Sequence, residues 1–292
     1  MGEHVGRFFS SLQIRTFGRR NLELSILPLK DIKPHEETIP ELLDSLTRDL
    51  RRTELQRDPI LVDKKTHVAL DGMHRRAALK ALGAKYAVCA EYDYLSKDVK
   101  LERWLRYFIA PDQKLLSQLF ALFDLESCAD YRKAARLVDT ITTSLALLSA
   151  ENSFVSKKKT GAFEVYSKIK KADSLCKAAK IAIEFAPESS RFELFTSESV
   201  YVLYPHVLSK KDILEVAMKN TEFPCKTTRH IVPVRPMGIY FPLSYLRSSS
   251  KIECETELER IVRLSKISRE EREVWYEGRR YSEPLAIFRR EK

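Results

Sequence analysis

Apolar residues recur along this chain with two different rhythms, and the change of rhythm divides it. From Leu22 to Asp93, short apolar runs alternate with polar turns. Leu24-Ser25-Ile26-Leu27-Pro28-Leu29 predicts a strand, and Asp31 to Glu36, with Pro34 inside it, predicts a loop. Leu42, Leu43, Leu46 and Leu50 then fall three and four apart, which predicts a helix over 41–50 with one stripe facing a core. Pro59-Ile60-Leu61-Val62 and His67-Val68-Ala69-Leu70 predict two strands joined by the turn Asp63-Lys64-Lys65-Thr66. After Asp71 to Arg75, a second helix carries Ala77, Ala78, Leu79 and Leu82 and stops at Gly83, a C-cap glycine. Tyr86 to Tyr92 predicts one more strand. The order is strand, loop, helix, two strands, helix, strand, a compact α/β unit.

Beyond Asp93 the helical rhythm dominates. Helices are expected over 97–110, 115–125, 130–148, 165–185 and 210–218. Tyr201 to Tyr204 reads as a strand ended by Pro205, and Ser156 to Gly161 as a solvated turn. Glu253 to Trp275 alternates acids and bases on a helical pattern and is expected to be an exposed charged helix. Three segments result: an N-terminal arm (1–21), an α/β domain (22–95) and a second, helix-rich mixed domain (96–292). There is no internal repeat and no long heptad array.

A chain of 292 residues suits about two domains. No apolar run approaches the roughly 20 residues that cross a bilayer, so a cytoplasmic protein without a membrane partner is expected. Within Met1 to Arg20, Arg7, Arg15, Arg19 and Arg20, with no acid after Glu3, also fit a transit-type leader. The five cysteines (Cys89, Cys128, Cys176, Cys225 and Cys254) lie far apart, which argues against a zinc site or a disulfide framework. The formal net charge of +10 suits an anionic partner without choosing between nucleotide and nucleic acid.

Three segments carry candidate chemistry. Asp71-Gly72-Met73-His74-Arg75 sits where a strand hands over to a helix, and a helix N-terminus binds anions through its backbone N–H groups. Gly72 lets the backbone approach a phosphate, Arg75 and His74 add donors, and Asp71 suits Mg²⁺. The same residues equally suit a capping Asp, a turn glycine and two solvated cations. In Lys33-Pro34-His35-Glu36, Glu36 could be a general base toward a hydroxyl. Its spacing alone favours the plainer role of an acid at a helix N-terminus. Lys226-Thr227-Thr228-Arg229-His230 is dense in donors and suits a carboxylate or phosphate as readily as it suits a basic surface loop. Trp104 falls on the apolar face of the helix expected over 97–110, where core packing is its default role.

Taken together, Leu29-x-x-Ile32-x-Pro34-His35-Glu36, Pro59-Ile60-Leu61-Val62 and Asp71-Gly72-x-His74-Arg75-x-x-Ala78-Leu79-x-x-Leu82-Gly83 resemble the ParB/sulfiredoxin fold over about residues 22–93, about a quarter of the chain. Sulfiredoxins carry their reactive cysteine where this chain has Met73. ParB proteins read Gly-Glu-Arg-Arg at that motif and continue into a helix-turn-helix that is not evident here. Archaeal free L-serine kinases carry Lys-Pro-His-Glu, Asp-Gly-His-His-Arg and a distal Lys-Thr-Thr-Arg-His. This chain matches all three except at Met73, and Trp104 also matches a tryptophan of those kinases. The resemblance implies an α/β (α+β) kinase that phosphorylates free L-serine from ATP or ADP with Mg²⁺. By carry-over, Glu36 would be the base and His74 a second catalytic residue. Asp71 would hold the metal, and Asp71, Gly72, Met73, His74 and Arg75 the nucleotide. Trp104, Lys226, Thr227, Thr228, Arg229 and His230 would shape the serine pocket. The alternatives are a ParB-like DNA-binding or nucleotide-switch protein, and a silent nucleotide sensor; nucleic acid is the less favoured partner. The donor, the acceptor's identity within small hydroxylated compounds, and the oligomeric state stay open.

Overall fold

In the computed structural model, which describes residues 5–8, 11–16, 20–109, 111–197, 199–271 and 274–290, the first apolar run becomes the centre of a sheet. Strands β1 (Val5–Phe8), β2 (Ser11–Thr16) and β3 (Arg20–Pro28) form an antiparallel meander. Residues 1–21, set apart from sequence as an arm, thus supply two strands; Arg19 lies outside the described residues. Helix α1 (Pro40–Thr53) follows, then the short β4 (Leu55–Gln56), β5 (Ile60–Asp63), β6 (Ala69–Asp71), helix α2 (Met73–Ala81) and β7 (Tyr86–Tyr92). The sheet order is β1-β2-β3-β7-β5-β6, with β5 and β7 parallel across the α2 crossover. Leu24, Ile26, Ile60, Val62, Val88 and Ala90 are buried along the central strands. Such near-continuous burial is what a sheet covered on both faces demands.

Helix α1 departs from expectation. Only Leu50 is buried, and Leu42 is 49% exposed, so its leucine stripe does not face a core throughout. Pro40 at its first position and left-handed Glu54 after its last account for its limits. Helix α2 stops as expected: Gly83 has φ +77° and donates to Lys80 O, while Ala84 donates to Leu79 O.

The next segment corrects the expectation most. Residues 100–109 form strand β8 (Lys100–Ile109), not a helix; Ala110, where that helix was to end, lies outside the described residues. The apolar spacing there fits a helix, but the rule that charged side chains face water fails at Arg103 and Arg106, which are 1% and 2% exposed. Arg103 donates to Asp139, Glu188, the Tyr204 hydroxyl and Pro205 O, so its charge is compensated inside the protein. Beyond it come α3 (Gln113–Phe123), β9 (Leu125–Cys128), α4 (Tyr131–Asp139), β10 (Leu145–Leu148), β11 (Ser153–Ser156), α5 (Ala162–Ala178), β12 (Glu184–Pro187), α6 (Arg191–Thr196), β13 (Val200–Pro205), α7 (Lys210–Met218) and β14 (Thr228–Ile231). The helices expected over 130–148 and 165–185 therefore each stop early and give way to a strand. Their partners decide this: β10 is clasped between β11 and β13, and β12 pairs with β8. The sheet order is β12-β8-β13-β10-β11-β9, with β14 added on β8.

The C-terminal stretch holds β15 (Arg235–Met237), β16 (Phe241–Pro242), α8 (Leu243–Ser248), α9 (Lys251–Arg263), β17 (Ser265–Glu270), β18 (Val274–Tyr276), β19 (Arg279–Tyr281) and β20 (Leu285–Arg290). The expected helix over 253–275 is only half helix. Ser250 and Glu253 cap α9 reciprocally, its inner face buries Cys254, Leu258, Ile261 and Val262, and β17 then pairs with β20.

Two compact units emerge. The first comprises Met1–Lys100, Leu214–Glu222 and His230–Lys292; the second comprises Leu101–Ile213 and Phe223–Arg229. The C-terminal stretch thus belongs with the N-terminal sheet, a grouping different from the segment 96–292 drawn on sequence. No described helix is long and apolar enough to cross a membrane.

Candidate active site

In the first unit, the loop after β3 is stitched to the strand and helix that carry Asp71 to Arg75. Lys33 N–H donates to His67 O, and Ala69 N–H donates to Lys33 O. His35 is fully buried, and its Nδ1 lies 2.7 Å from Ala69 O. A carbonyl only accepts, so Nδ1 carries the proton and Nε2 is turned to the neighbouring Glu36 Oε1 at 3.6 Å. Glu36 is itself 7% exposed. Farther along, Ile39 N–H donates to His74 Nε2 at 2.9 Å, which fixes that ring with its proton on Nδ1.

Gly72 is the N-cap of α2 with φ +101°, a conformation that L side chains rarely adopt, and it supplies no side-chain cap. A Cβ there would meet the Arg75 guanidinium at 3.0 Å. Arg75 lies over the start of the helix, and its buried Nε has no protein acceptor among the described residues. An uncapped helix start with an arginine folded across it is a place where an anion gains both backbone donors and a charge.

Asp71 is gripped from a direction the sequence did not indicate. Arg235, 4% exposed, donates through Nη1 to Asp71 Oδ2 and through Nε to Glu283 Oε1 at 2.6 Å. Burial opposes the Arg235 charge, but the two carboxylates more than reverse that and raise its pKa above the ordinary value. Nearby, the His230 ring packs edge-on to His35 at 5.4 Å, and its Nε2 lies 2.9 Å from the Tyr94 hydroxyl. Burial, and then the neighbouring His35, push the pKa of His230 well below the usual histidine range, so it is neutral near pH 7.

In the second unit, Trp104 on β8 is half-buried rather than in the core. The Lys226 Nζ stands 4.8 Å and the Arg229 Cζ 5.7 Å from its ring centroid, both within cation–π range. Arg229 also faces Glu102 at 3.5 Å. Thr227 is buried and donates its hydroxyl to Pro224 O at 2.7 Å, closing a local turn, while its carbonyl accepts from Trp104 N–H. Arg106 holds this segment from below the surface. Its Nε contacts both Asp173 oxygens at 2.9 and 3.1 Å, and its two Nη atoms donate to Cys225 O and Lys226 O. Lys226 sits at φ +56°, uncommon for a lysine, within that grip.

No family profile matches the chain. Individual proteins do. An ADP-dependent L-serine kinase of Thermococcus kodakarensis is 26% identical over 234 residues, 78% of this chain and 94% of that protein. An ATP-dependent L-serine kinase of Desulfurococcus mucosus is 28% identical over 276 residues, 85% of this chain and all of the relative. A ParB-like protein of Sulfolobus acidocaldarius is 27% identical over 72% of this chain and 92% of its own length. Among solved structures, a free serine kinase in complex with AMP superposes with a TM-score of 0.65 at 26% identity, covering 76% of this chain and 93% of that one. The chain is related to the free L-serine kinases. The kinase likeness runs through both compact units, well beyond the quarter of the chain over which the ParB/sulfiredoxin motifs were legible.

Set beside the free L-serine kinases, the motif residues divide as follows. Glu36, Asp71, Gly72, Met73, His74, Arg75 and His230 belong to the first unit; Trp104, Lys226, Thr227, Thr228 and Arg229 belong to the second. Sequence reasoning missed Arg106, Arg235, Glu102 and Tyr94. Arg106 and Arg235 look like ordinary surface cations in sequence, and only their burial against acidic partners distinguishes them.

Proposed function

We propose that this protein is a kinase of a free amino acid, transferring a phosphoryl group from ADP or ATP to the hydroxyl of L-serine to give O-phospho-L-serine. The observation that carries the reading is the stitching of Glu36 to the uncapped start of α2, through His35 to Ala69 and through Ile39 to His74. It puts a buried carboxylate on the same rigid frame as a natural phosphate cradle. In this reading Glu36 takes the proton of the serine hydroxyl as the oxygen attacks the terminal phosphorus, and the nucleotide leaves one phosphate shorter. His35, anchored to Ala69 O, lies beside the carboxylate. The backbone N–H groups after Gly72, the Arg75 guanidinium and His74 Nδ1–H hold the phosphates, because phosphoryl transfer rests mainly on positioning and charge neutralisation. Met73 contributes only its backbone.

Asp71 is the residue that would hold Mg²⁺. Mg²⁺ takes few protein oxygens and shares its remaining positions with waters and phosphates. A single partly exposed carboxylate beside the cradle fits that habit, and no larger cluster of metal-binding side chains occurs among the described residues. Bound there, the ion would neutralise charge on the phosphates. In the second unit, Lys226 and Arg229 beside Trp104 would receive the serine carboxylate, with Thr227 and Thr228 completing the surroundings.

Purified protein incubated with L-serine, Mg²⁺ and either ADP or ATP is expected to yield O-phosphoserine, read by mass spectrometry. Product from neither donor, with nucleotide binding intact, removes the serine reading. Glu36→Gln is expected to lower turnover by roughly 10²–10⁴-fold while nucleotide affinity stays within error; a near-normal rate removes Glu36 as the base. The likeness to a ParB-like protein supports a second reading, a DNA-binding switch. That reading requires duplex binding that weakens steeply from low to moderate salt.

A further inference from the structure

Pro28, ending β3, and Tyr86, opening β7, are partners in the first unit's sheet. Beside this pair lies a cavity of about 590 Å³ whose charged lining is Lys30, Arg76, Lys80 and Lys85, with Tyr86 and the buried Leu29 as its less polar wall. No carboxylate lines it. The four cations come from three places in the chain: the turn after β3, one side of α2, and the residues just past the Gly83 cap. Some other cations of this unit have acidic partners, as in Lys64–Glu23, Arg57–Glu277 and Arg247–Glu54. Among the described residues, these four form no ion pair. Asp31 follows Lys30 in sequence but is not in the lining, and the charge of Glu222 acts on Arg76.

Arg76 is the best-fixed member. Its Nε donates to Ile32 O at 2.6 Å, which sets the plane of the guanidinium. Burial lowers its pKa despite Glu222, so its surroundings oppose the charge they hold. Four like charges sharing one concavity repel one another, and an anion placed among them relieves that repulsion. The volume falls within the roughly 300–1,000 Å³ usual for small-molecule sites. A pocket of this size suits a compact multi-anion better than a duplex, which presents phosphates along an extended track. The arginine fork matches phosphate oxygens, and the lysines add mobile point charges.

We propose that this cavity is a second anion site, apart from the Asp71–Arg75 cradle, that binds a small molecule carrying two or more phosphate groups. It does not depend on the serine reading. The test uses the full-length protein and inorganic tripolyphosphate, titrated calorimetrically, with ADP as a second probe. Wild type is compared with the Lys30→Gln/Lys80→Gln/Lys85→Gln triple variant and with Arg75→Ala. The triple variant is expected to bind one equivalent fewer of tripolyphosphate than wild type, and Arg75→Ala to keep the equivalent that the triple variant loses. The triple variant should melt at or above the wild-type temperature in the absence of ligand, since only exposed repelling charges are removed. Loss of an ADP equivalent as well identifies a nucleotide; loss of tripolyphosphate alone identifies a phosphate-only ligand. Unchanged stoichiometry and affinity in a folded triple variant overturn the proposal. So does a wild type that ignores tripolyphosphate but binds a DNA duplex at least tenfold more tightly than the triple variant, which makes the patch a nucleic-acid face.

Discussion

The Asp71–Arg75 turn and the Cys225–Arg229 segment are held in opposite ways. The backbone of the first is fixed by a left-handed glycine, a helix start and histidines bonded to backbone groups, while Arg235 holds the Asp71 side chain. The second has its carbonyls pinned by a buried guanidinium about 120 residues away in sequence, itself neutralised by Asp173. A turn held by several separate bonds loses one bond at a time. A loop held by one buried guanidinium loses several bonds with one side chain.

The largest effect that would sharpen this contrast is expected at Arg106. Arg106→Ala strands Asp173 and two carbonyls and should cost about 3–5 kcal/mol in urea unfolding. Arg106→Lys should recover little, since an ammonium cannot reproduce the fork. If the variant folds and the serine reading holds, KM for the acceptor should rise while KM for the donor stays constant. A loss below about 1 kcal/mol would mean that the segment holds itself, and the contrast would fail.

His74→Ala is the matching change in the first unit. It leaves Ile39 N–H without its acceptor and should cost about 1–3 kcal/mol, with the donor's KM rising rather than the acceptor's. Gly72→Ala forces a Cβ onto φ +101° and against Arg75. The expected cost is about 1–2 kcal/mol, again with a donor-side defect, measured by thermal melting and nucleotide titration.

The smallest effect is one of pH. Burial lowers the pKa of His230, and burial likewise lowers that of His206 against a bond to Ser144. Each binds its proton less readily folded than unfolded. Their contribution to stability is therefore full above the unfolded pKa of about 6.5 and is lost as pH falls below it. The melting temperature should fall from pH 7 toward pH 5, and His230→Asn and His206→Asn should each flatten that slope. An unchanged slope in both variants would mean that carboxylates alone set the acid limit.

Much of the first unit was legible because its cues are local. The strand over Leu24, the Asp63–Thr66 turn, Gly72 before a helix, Gly83 after it, and the Tyr86–Tyr92 strand all follow from backbone preferences within a few residues. Strand β8 was not legible. Its apolar positions keep a helical spacing, and its register depends on β12 and β13, which pair with it from some 75 to 100 residues downstream. The same holds for the half of 253–275 that became β17, where β20 decides the outcome. Leu42 misled in the other direction, since an apolar stripe states a capacity for burial and not its fulfilment.

For the site, sequence alone singled out the chemically able residues: Glu36 after a rigid loop, Asp71 to Arg75 at a helix start, and the donor-rich Lys226 to His230. Tertiary structure decided how they are used. It set His230 against His35 and Tyr94, tied Asp71 to Arg235, and placed Arg106 beneath Cys225 and Lys226. The physical reason is range. Turn and cap preferences act over a few bonds and are written where they act, whereas the burial of a charge depends on whether a distant carboxylate arrives to compensate it.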